Sequence, residues 1–507
     1  MRPAYLAATI RAAEEPLLES RPGVLMQRAA SGLASAVLRE LRSVRGRVHG
    51  ARVLLAVGAG NNGGDALYAG VRLLRRGVRV DAWRTAARVH DEGWAAFRAA
   101  GGGELDAVGA VAALAEADLV VDGVLGIGGR PGLREPVALF ARACADTGVP
   151  VVAVDLPSGL DADRCGSEIP ASAGMTRTGE AGTAAFPAAR TTVIPGLPRD
   201  LTDVGTAHFV ARGTVTFGGL KFCHVLEPAA SACGQVEVVD IGLDLPAGDL
   251  TCWRRADVAA AWPFPDATSD KYSRGVVGLD TGSDAYPGAA VLSTLGAVYA
   301  GAGMVRFLGA DGAASLIRHA VPNVVFGEGR VQARVLGSGW GARPDGAAVV
   351  ERALAESLPL VLDADALRHL PAGGLGERVL LTPHAGELAR LLGVERAEVA
   401  ADPIAAVTRA ARRHDATVLL KGATQYVSGP DGRVSIAVPG PPWSAQAGSG
   451  DVLAGICGTL LAAALPPIRA ALAGASIQAL AARAAPGPHP PQSIAERLPA
   501  VIGGLLG

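Results

Sequence analysis

The sequence predicts an α/β protein of two domains, each a three-layer α/β/α arrangement around a parallel sheet. Its 507 residues exceed what one ordinary hydrophobic core covers. Continuous apolar runs alternate with alanine-rich stretches of helical character, which is the pattern of parallel strands covered on both faces. A polar or glycine-rich cluster directly follows most of the apolar runs, at the sheet edge where open α/β folds bind their ligands.

Eight apolar runs are the predicted strands that carry these clusters. They read RVLLAVG (52–58), ADLVVDGVLG (117–126), VPVVAVDLPSG (149–159), VVGLDTG (276–282), ARVLGSG (333–339), LPLVLDADAL (358–367), RVLLTPH (378–384) and ATVLLKGA (416–423). The first series closes at residues 234–246 and a passage containing proline and tryptophan follows, so the predicted domains are 1–246 and 247–507. A Gly/Pro/Ala/Thr-rich segment of little periodicity predicts an insertion at about 165–212.

Composition and charge indicate that the partners are small metabolites. The formal net charge is -1 and no run of like charges occurs, which argues against binding to nucleic acid or to an anionic membrane. Six cysteines are scattered without a C-x-x-C pair, which argues against a zinc module or a disulfide scaffold and fits a reducing compartment. The first thirty residues lack the apolar core of a secretory signal. We therefore expect a cytoplasmic protein.

Three strand ends of the first domain each present oxygen donors. They are Asn61, Asn62 and Asp65 in GAGNNGGDA, Asp122 in VVDGVLGIGGRPG, and Asp155 with Ser158 in AVDLPSGLDAD. The glycine-rich loop also offers backbone N–H groups to a phosphate-bearing ligand. Convergent amide, carboxylate and hydroxyl oxygens can hold a hard cation, and a remaining carboxylate can move protons. The alternative interpretation is that these residues only cap helices.

These motifs resemble those of the NAD(P)H-hydrate epimerase family. The hallmarks GNNGGD, VDGxLGxG and DxPSGLDAD stand at residues 60–65, 121–128 and 155–163, and TVTFGGLK follows at 214–221. The resemblance covers most of residues 20–245 and implies a Rossmann-like domain. The implied reaction interconverts the R and S forms of hydrated NADH or NADPH, whose nicotinamide ring carries a hydroxyl on carbon 6. Two departures are Ala66, where glycine is usual, and the insertion before TVTFGGLK.

The resemblance also implies which residues form this site. The substrate would be bound by Asn61, Asn62, Gly63, Gly64, Asp65, Gly126, Ile127, Gly128, Gly129, Arg130, Pro131, Gly132 and Asp155. A potassium ion would be held by Asn62, Asp122 and Ser158. Asp155 is the first candidate for proton transfer, and Asp65 and Asp122 remain open as alternatives.

A second site is predicted where AGSGDVLAG places small residues before an apolar helix, with Asp451 in its first turn. Bare N–H groups at a helix start attract an anion, and the aspartate beside them can accept a proton from a hydroxyl that is being phosphorylated. Lys421 follows one predicted strand and His384 stands at a strand-to-helix junction. Taken singly, each has an ordinary alternative: a helix charge, a solvated lysine and a structural histidine.

These residues resemble the ribokinase-like fold and, more narrowly, the ADP-dependent NAD(P)H-hydrate dehydratase family. Its motifs appear as GSDAYPGAA (282–290), VLGSGWG (335–341), LDADAL (362–367), TPHAGEL (382–388), LKGATQ (420–425) and AGSGDVLAG (447–455). By that likeness the adenine nucleotide would contact Lys421, Gly422, Ala423, Thr424, Gln425 and Gly450, and the hydrate would contact Ala289, Gly339, His384 and Asp451. The opening YSRGVVGLDTGSD departs from the usual HKGxxGxVLxIGGS in the first substrate loop.

The leading hypothesis is a bifunctional enzyme that repairs hydrated nicotinamide cofactors. The implied dehydratase mechanism phosphorylates the carbon-6 hydroxyl from ADP or ATP, with Asp451 as base and Mg²⁺ as a further cofactor, and then eliminates phosphate. A ribokinase-like kinase for a small alcohol such as a vitamin precursor, and a nucleotide-sensing protein without turnover, stay open as alternatives. The family likeness also implies a homo-oligomer.

Overall fold

The computed structural model of the chain describes residues 1–20, 23–164 and 207–506. Most of the predicted insertion at 165–212 therefore lies outside the described residues. The chain divides into two compact units, one of Pro3–Asp249 and one of Leu250–Gly507 with Met1–Arg2. The division falls at Asp249, whereas the sequence predicts a boundary near residue 246.

The first unit alternates strands and helices along the chain. Its strands are β1 (Arg2–Tyr5), β2 (Arg52–Val57), β3 (Arg79–Arg84), β4 (Gly103–Leu105), β5 (Leu119–Gly123), β6 (Val151–Val154), β7 (Gly213–Phe217), β8 (Leu220–Lys221) and β9 (Gln235–Val239). Its helices are α1 (Ala7–Ser20), α2 (Val24–Arg45), α3 (Asn61–Leu74), α4 (Asp91–Ala99), α5 (Ala107–Ala113), α6 (Val137–Thr147) and α7 (Ala229–Cys233), with a 3₁₀ turn at Phe222–His224.

Seven of these strands form a parallel sheet in the order β4-β3-β2-β5-β6-β7-β9. Alternate residues of β2 point to opposite faces: Leu55 packs in the core that α2 and α3 cover, and Leu54 in the core that α5 and α6 cover. The sheet is thus the middle of three layers. The strand order reverses between β2 and β5, so the loops that follow these two strands border the crevice where such sheets bind ligands.

The second unit also alternates strands and helices along the chain. Its strands are β10 (Leu250–Cys252), β11 (Val276–Asp280), β12 (Met304–Phe307), β13 (Val325–Phe326), β14 (Ala333–Leu336), β15 (Leu360–Leu362), β16 (Val379–Leu381), β17 (Thr417–Leu420), β18 (Tyr426–Ser428) and β19 (Val434–Ile436). Its helices are α8 (Arg255–Ala261), α9 (Pro287–Tyr299), α10 (Asp311–Ala320), α11 (Gly346–Ala355), α12 (Ala385–Leu392), α13 (Arg396–Ala401), α14 (Pro403–His414), α15 (Ser449–Ala462), α16 (Pro467–Ala484) and α17 (Pro491–Gly503), with 3₁₀ turns at Ala364–His369 and Pro442–Ser444.

These ten strands follow the order β13-β12-β11-β14-β15-β16-β17-β18-β19-β10, parallel except that β18 runs antiparallel to both neighbours. The order reverses between β11 and β14, which creates a second crevice of the same kind. Helices α9 and α15 pack closely because glycines face the partner backbone. A Cβ on Gly296 would lie 2.2 Å from the Val452 carbonyl oxygen, and one on Gly455 would lie 2.0 Å from that of Ser293.

The predicted fold class, an α/β chain of two domains with parallel sheets, is confirmed. Each of the eight apolar runs contains a strand of the observed sheets. Among the described residues, none of the helices combines the length and the apolarity that crossing a membrane requires.

Candidate active sites

Asp155 is the most constrained residue of the first unit's ligand edge. It directly follows β6, is 4% exposed, and has a φ of 69°, a left-handed backbone that a non-glycine residue rarely adopts. Its carboxylate accepts hydrogen bonds from Lys221 Nζ at 2.5 Å and from Thr216 Oγ1 at 2.9 Å. The backbone outlier therefore fixes a carboxylate against an ammonium group at the end of a strand.

The Lys221 ammonium is enclosed with its partner. The lysine side chain is 1% exposed and also donates to Thr216 Oγ1 and to the Phe217 carbonyl oxygen, at 2.8 and 3.0 Å. Burial by itself would raise the pKa of Asp155, but the Lys221 charge and hydrogen bond outweigh it and hold that pKa below its ordinary value. Asp155 is therefore ionised at neutral pH.

His224 fixes the other end of this arrangement. Its Nδ1 accepts the Lys221 backbone N–H at 3.0 Å, so Nε2 carries the hydrogen and donates to the Asp155 carbonyl oxygen at 2.9 Å. Neither Lys221 nor His224 was among the residues predicted from the sequence. The signal for the lysine was available, because it is the last residue of the TVTFGGLK motif.

The three predicted potassium ligands lie together. Asp122 is fully buried and accepts hydrogen bonds from the Ser158 N–H at 2.7 Å and from Ser158 Oγ at 2.6 Å. Asn62 Nδ2 donates to the carbonyl oxygens of Val154 and Leu125, at 2.7 and 3.2 Å, and Ser158 Oγ also lies 3.2 Å from the Leu125 oxygen. Burial raises the pKa of Asp122 to about 6, opposed by the Ser158 hydrogen bonds. One carboxylate among neutral oxygens fits a hard ion of single charge.

The predicted substrate loops surround this cluster. Asn61, Asn62, Gly63, Gly64 and Asp65 form the first turn of α3, after its N-cap Gly60. The loop of Gly126, Ile127, Gly128, Gly129, Arg130, Pro131 and Gly132 follows β5. Gly126 lies against Asn62, since a Cβ on Gly126 would stand 2.5 Å from the Asn62 side-chain oxygen. The departure at Ala66 is accommodated by Gly123, where a Cβ would come within 2.8 Å of the Ala66 methyl group.

Asp65 differs from the other carboxylates of this edge. It is 5% exposed, and its Oδ1 has no hydrogen-bond partner among the described residues. Burial, with the charges of Asp155 and Glu14, raises its pKa well above the ordinary value. Burial also raises the pKa of Glu14 on α1, with the Lys221 charge opposing the rise. Glu14 lies outside every predicted motif, and no sequence signal pointed to it.

A buried cluster of Cys223, His224 and Cys233 lies behind Asp155, with ligand atoms within 4.8 Å of one another. Both ring nitrogens of His224 are already hydrogen-bonded. The hydrogen bond with Cys233, together with burial, raises the pKa of the Cys223 thiol well above its ordinary value. Because a cysteine binds a metal as its thiolate, the cluster fits a packed thiol pair better than a metal site.

In the second unit, Asp451 lies in the first turn of α15, whose N-cap is Gly448. Burial raises its pKa to about 7, the Asp363 charge adds to the rise, and the Lys421 charge opposes it. A Cβ on Gly450 would lie 3.2 Å from Lys421 Nζ, which places the ammonium group against the start of the helix. A carboxylate, an ammonium group and free helix N–H groups thus converge at one helix end.

Asp363 neutralises that ammonium group. Its Oδ1 accepts from Lys421 Nζ and Thr382 Oγ1, and its Oδ2 from Ser338 Oγ, each at 2.7 Å. Burial would lower the pKa of Lys421, but the charges of Asp363, Glu387 and Asp451 raise it. The sequence prediction missed Asp363 as a site residue, although it belongs to the LDADAL motif at the end of β15.

His384 caps α12. Its Nδ1 accepts the backbone N–H groups of Gly386 and Glu387 at 3.0 and 3.3 Å, and the Glu387 carboxylate accepts the His384 N–H at 2.8 Å. This capping box matches the structural interpretation of a lone histidine. The same residue pairs with Lys421 in a parallel bridge, and its side chain is 57% exposed, with Nε2 3.4 Å from Glu387 Oε1.

The remaining predicted contacts of the second site lie in two loops. Ala289 and Gly339 touch: Gly339 has a φ of 67°, and a Cβ on it would stand 2.4 Å from the Ala289 methyl group. Lys421, Gly422, Ala423, Thr424 and Gln425 link β17 to β18. Gly422 and Ala423 are exposed, and the buried Oε1 of Gln425 has no partner among the described residues.

The unusual first loop of this unit carries an ion pair. Asp280 closes β11 and accepts from Arg343 Nη1 at 2.6 Å, while Trp340 Nε1 donates to the Asp280 carbonyl oxygen at 2.9 Å. The Arg343 guanidinium lies 4.4 Å from the centre of the Trp340 ring. This unusual sequence therefore ties the loop after β11 to the loop after β14.

Comparison with known proteins finds a different family model for each half of the chain. A family model described as YjeF-related protein N-terminus matches residues 22–223, and one described as NAD(P)H-hydrate dehydratase matches residues 277–500. The chain is 42% identical to the bifunctional NAD(P)H-hydrate repair enzyme Nnr of Mycobacterium leprae, over 98% of each chain. It is 43% identical to the Mycobacterium tuberculosis protein of that name, over 93% of this chain and 91% of the relative. The solved ADP/ATP-dependent NAD(P)H-hydrate dehydratase of Bacillus subtilis, 26% identical, matches 50% of this chain and 98% of its own with a TM-score of 0.48.

Proposed function

The chain belongs to the family of bifunctional NAD(P)H-hydrate repair enzymes, and from this premise we propose how its two sites divide the chemistry. The predicted function, an NAD(P)H-hydrate epimerase and a dehydratase in one chain, is confirmed by this membership. It also disfavours the two alternatives, a vitamin-precursor kinase and a sensor without turnover.

The first unit performs the epimerisation, and Asp155 is its proton acceptor. The observation that supports this role is the buried pair with Lys221, which keeps the carboxylate ionised at the ligand edge of the sheet. A base must be ionised to take a proton, and a fixed geometry avoids reorganisation when it does so. The loops around Asn61 and Gly126 hold the substrate beside it.

Asn62, Asp122 and Ser158 hold a potassium ion at the same edge. Asn62 Nδ2 and Ser158 Oγ both contact the Leu125 carbonyl oxygen, and Ser158 Oγ also contacts Asp122. A single carboxylate among neutral donors suits a monovalent ion. A bound ion would supply positive charge for the substrate's phosphates. The protein's part is to position the two loops that carry Asn62 and Ser158.

Asp122→Ala tests this potassium site. The epimerisation rate should fall by roughly 10–100-fold, the range found when groups around a metal are removed. The remaining rate should depend less on the potassium concentration. Conversion of the pure S hydrate with ADP should be unchanged, because that reaction belongs to the other unit. If the R hydrate is consumed at the wild-type rate, Asn62, Asp122 and Ser158 are structural caps only.

The second unit performs the dehydration, with Asp451 as base. The oxygen of the carbon-6 hydroxyl attacks the terminal phosphorus of ADP or ATP, Asp451 takes the hydroxyl proton, and the phosphoanhydride bond breaks to release AMP or ADP. The α15 N–H groups with Lys421 stabilise the transferred phosphoryl group. The ring nitrogen then expels phosphate, and loss of a proton from carbon 5 restores the dihydronicotinamide. Mg²⁺ would neutralise nucleotide phosphate charge. The observation that carries this role is a carboxyl with a pKa of about 7 at a helix start that also faces an ammonium group.

Ala289, Gly339 and His384 contact the hydrate in this proposal, and Lys421 to Gln425 with Gly450 contact the nucleotide. The contact between Ala289 and Gly339 and the bridge between His384 and Lys421 support this assignment. The preference for ADP over ATP, the homo-oligomer and the cytoplasmic location stay predictions.

The test is incubation of the full chain with separated R and S hydrates of NADH and of NADPH, each with ADP or ATP, while the absorbance of the reformed dihydronicotinamide is followed. Dihydronicotinamide should form from the S hydrate only when nucleotide is present. From the R hydrate it should form at a rate limited by epimerisation. A chain that forms dihydronicotinamide from S without nucleotide would contradict the phosphorylation route.

A further inference from the structure

Asp65 is a buried carboxyl that the proposed epimerisation leaves without a chemical task. It makes no hydrogen bond among the described residues, and its Oδ1 is completely enclosed. Native proteins rarely leave a buried polar atom unpaired, so such an atom points to a missing partner. It lies in the first turn of α3 with Asn61 and Asn62, on the side of the proposed substrate pocket, and the charges of Asp155 and Glu14 act on it.

The charges around this pocket do not balance if every carboxyl is ionised. Asp65, Asp155 and Glu14 interact with one another, the Lys221 ammonium group acts on Asp155 and Glu14, and the Arg11 guanidinium group acts on Glu14. Neither cation lowers the pKa of Asp65. Lys221 is committed to Asp155 by a direct contact of 2.5 Å. A buried carboxylate without a partner is costly, so Asp65 is the carboxyl that retains its proton.

The other titratable groups nearby have their own partners or are less enclosed. Asp122 accepts three hydrogen bonds from Ser158 and Val124, and Glu14 is only partly buried. His90 precedes α4 and lies near Gly64, but its Nδ1 accepts the Gly93 N–H at 3.0 Å. At this edge of the sheet, Asp65 is thus the protonated donor and Asp155 the ionised acceptor. Two carboxyls held in opposite protonation states are a recurring arrangement for acid and base catalysis.

We propose that Asp65 is the general acid of the epimerisation and gives its proton to the carbon-6 hydroxyl, while Asp155 is the base that acts on the incoming water. This inference rests on the proposed epimerase function of the first unit. Asp65 lies in the first turn of α3 and Asp155 after β6, so the acid and the base reach the substrate from different elements.

The step balances without an oxidant or a further reactant. The C6–O bond breaks with its electron pair on oxygen, which takes the Asp65 proton and leaves as water. The ring nitrogen's lone pair forms the C=N bond of a cation. A water molecule that loses its proton to Asp155 then adds to the opposite face of carbon 6. Asp65 is now ionised and Asp155 protonated, and proton transfer between them or through water restores the initial state.

Oxygen-18 water gives a test on the unmodified enzyme. Wild type without nucleotide should incorporate solvent oxygen at carbon 6 at the rate at which it interconverts pure R and S hydrates. Interconversion without incorporation would overturn the proposal, because the original oxygen would then be retained. If wild type does not interconvert the epimers at all, the epimerase function itself fails, which is a distinguishable outcome.

The variants are Asp65→Asn and Asp65→Glu. Asn keeps the shape but cannot transfer a proton, so kcat for epimerisation should fall by about 10²–10⁴-fold, with KM changed little and oxygen exchange lowered in parallel. Glu keeps the acid and should retain more activity than Asn. Dehydration of the S hydrate with ADP serves as the control that the chain is folded, and it should match wild type.

Two results would count against Asp65 as the acid. A rise in KM with an unchanged kcat in Asp65→Asn would make it a binding residue only. An epimerisation rate within threefold of wild type would assign both proton transfers to Asp155.

Discussion

Both sites place a lysine–aspartate pair at the ligand edge of a parallel sheet, but the pairs hold different partners. In the first unit Lys221 binds Asp155, the proposed base itself, at 2.5 Å. In the second unit Lys421 binds Asp363 at 2.7 Å, and the proposed base Asp451 stands apart from the pair. An ion pair of the same kind therefore lowers the pKa of the base Asp155 in the first site, whereas the pKa of the base Asp451 stays raised in the second.

The difference fits the two reactions. Phosphoryl transfer needs a base that takes a proton from a hydroxyl, and a carboxylate with a pKa near 7 holds that proton better than an ordinary one. It also needs an ammonium group free to meet the phosphoryl oxygens, and Lys421 keeps part of its surface open for this. Lys221 is enclosed at 1% exposure and its direct carboxylate partner is Asp155, so its ammonium group is not open to a ligand.

The largest expected effect is that of Asp451→Asn. This change removes the base but keeps the shape and the helix N–H groups, so dehydration should fall by about 10²–10⁴-fold. Nucleotide affinity, measured by calorimetry, should change little. Epimerisation by the same variant is the internal control. Dehydration at the wild-type rate would refute the assignment of Asp451.

Unequal losses of stability should follow from Lys221→Met and Lys421→Met. Removing one partner of an enclosed pair leaves an uncompensated charge and costs about 3–5 kcal/mol. We expect a loss of this size in the first unit for Lys221→Met and a smaller one in the second for Lys421→Met, since the Lys421 side chain is 18% exposed. Chemical unfolding, monitored by hydrogen exchange in each unit, measures the two losses of stability. Equal losses would break the distinction between the two pairs.

These lysines also show where sequence reasoning stopped. The apolar runs predicted the strands, because burial on both faces needs continuous apolar residues. The strand ends then predicted that oxygen donors of three loops meet, since parallel strands bring their carboxyl ends to one edge, and the family resemblance selected Asn62, Asp122 and Ser158 among them. The partner of each lysine lies about sixty residues away along the chain. Such a pairing depends on strand order, which local patterns do not determine.

His384 and Asp65 illustrate the same limit on a smaller scale. The sequence placed His384 at a strand-to-helix junction, but only the structure shows that Nδ1 caps the helix while Nε2 lies 3.4 Å from the Glu387 carboxylate. The resemblance assigned Asp65 to substrate binding. That it is buried without a partner is a property of its surroundings, and no motif reports it.

A pH dependence should separate the two activities. Asp451 must be ionised to act, so kcat/KM for dehydration should fall about tenfold per pH unit below about 7.

Since the folded pKa of Asp451 is raised, the linked stability is present at low pH and lost as pH rises through about 7. Asp451→Asn should therefore stabilise the second unit at pH 8 by a few degrees in Tm relative to wild type, and much less at pH 5. The ionisation of the epimerase base Asp155 should cause no comparable fall in kcat/KM for epimerisation near neutral pH.

The smallest effects concern two glycine–alanine contacts, one in each site. A Cβ on Gly123 would stand 2.8 Å from the Ala66 methyl group, and a Cβ on Gly339 would stand 2.4 Å from that of Ala289. Gly123 lies in a strand, so Gly123→Ala causes overpacking alone and should cost about 1–3 kcal/mol. Gly339 has a φ of 67°, so Gly339→Ala adds backbone strain to the clash.

The matched double variants distinguish the two causes. Ala66→Gly removes the methyl group that Gly123→Ala meets, so the pair should recover most of the lost stability in the first unit. Ala289→Gly removes the corresponding clash in the second unit but leaves the left-handed alanine, so the rescue should be incomplete. Thermal unfolding of the four single and two double variants measures both. Equal rescue in the two units would show that packing, and not backbone conformation, decides the cost at Gly339.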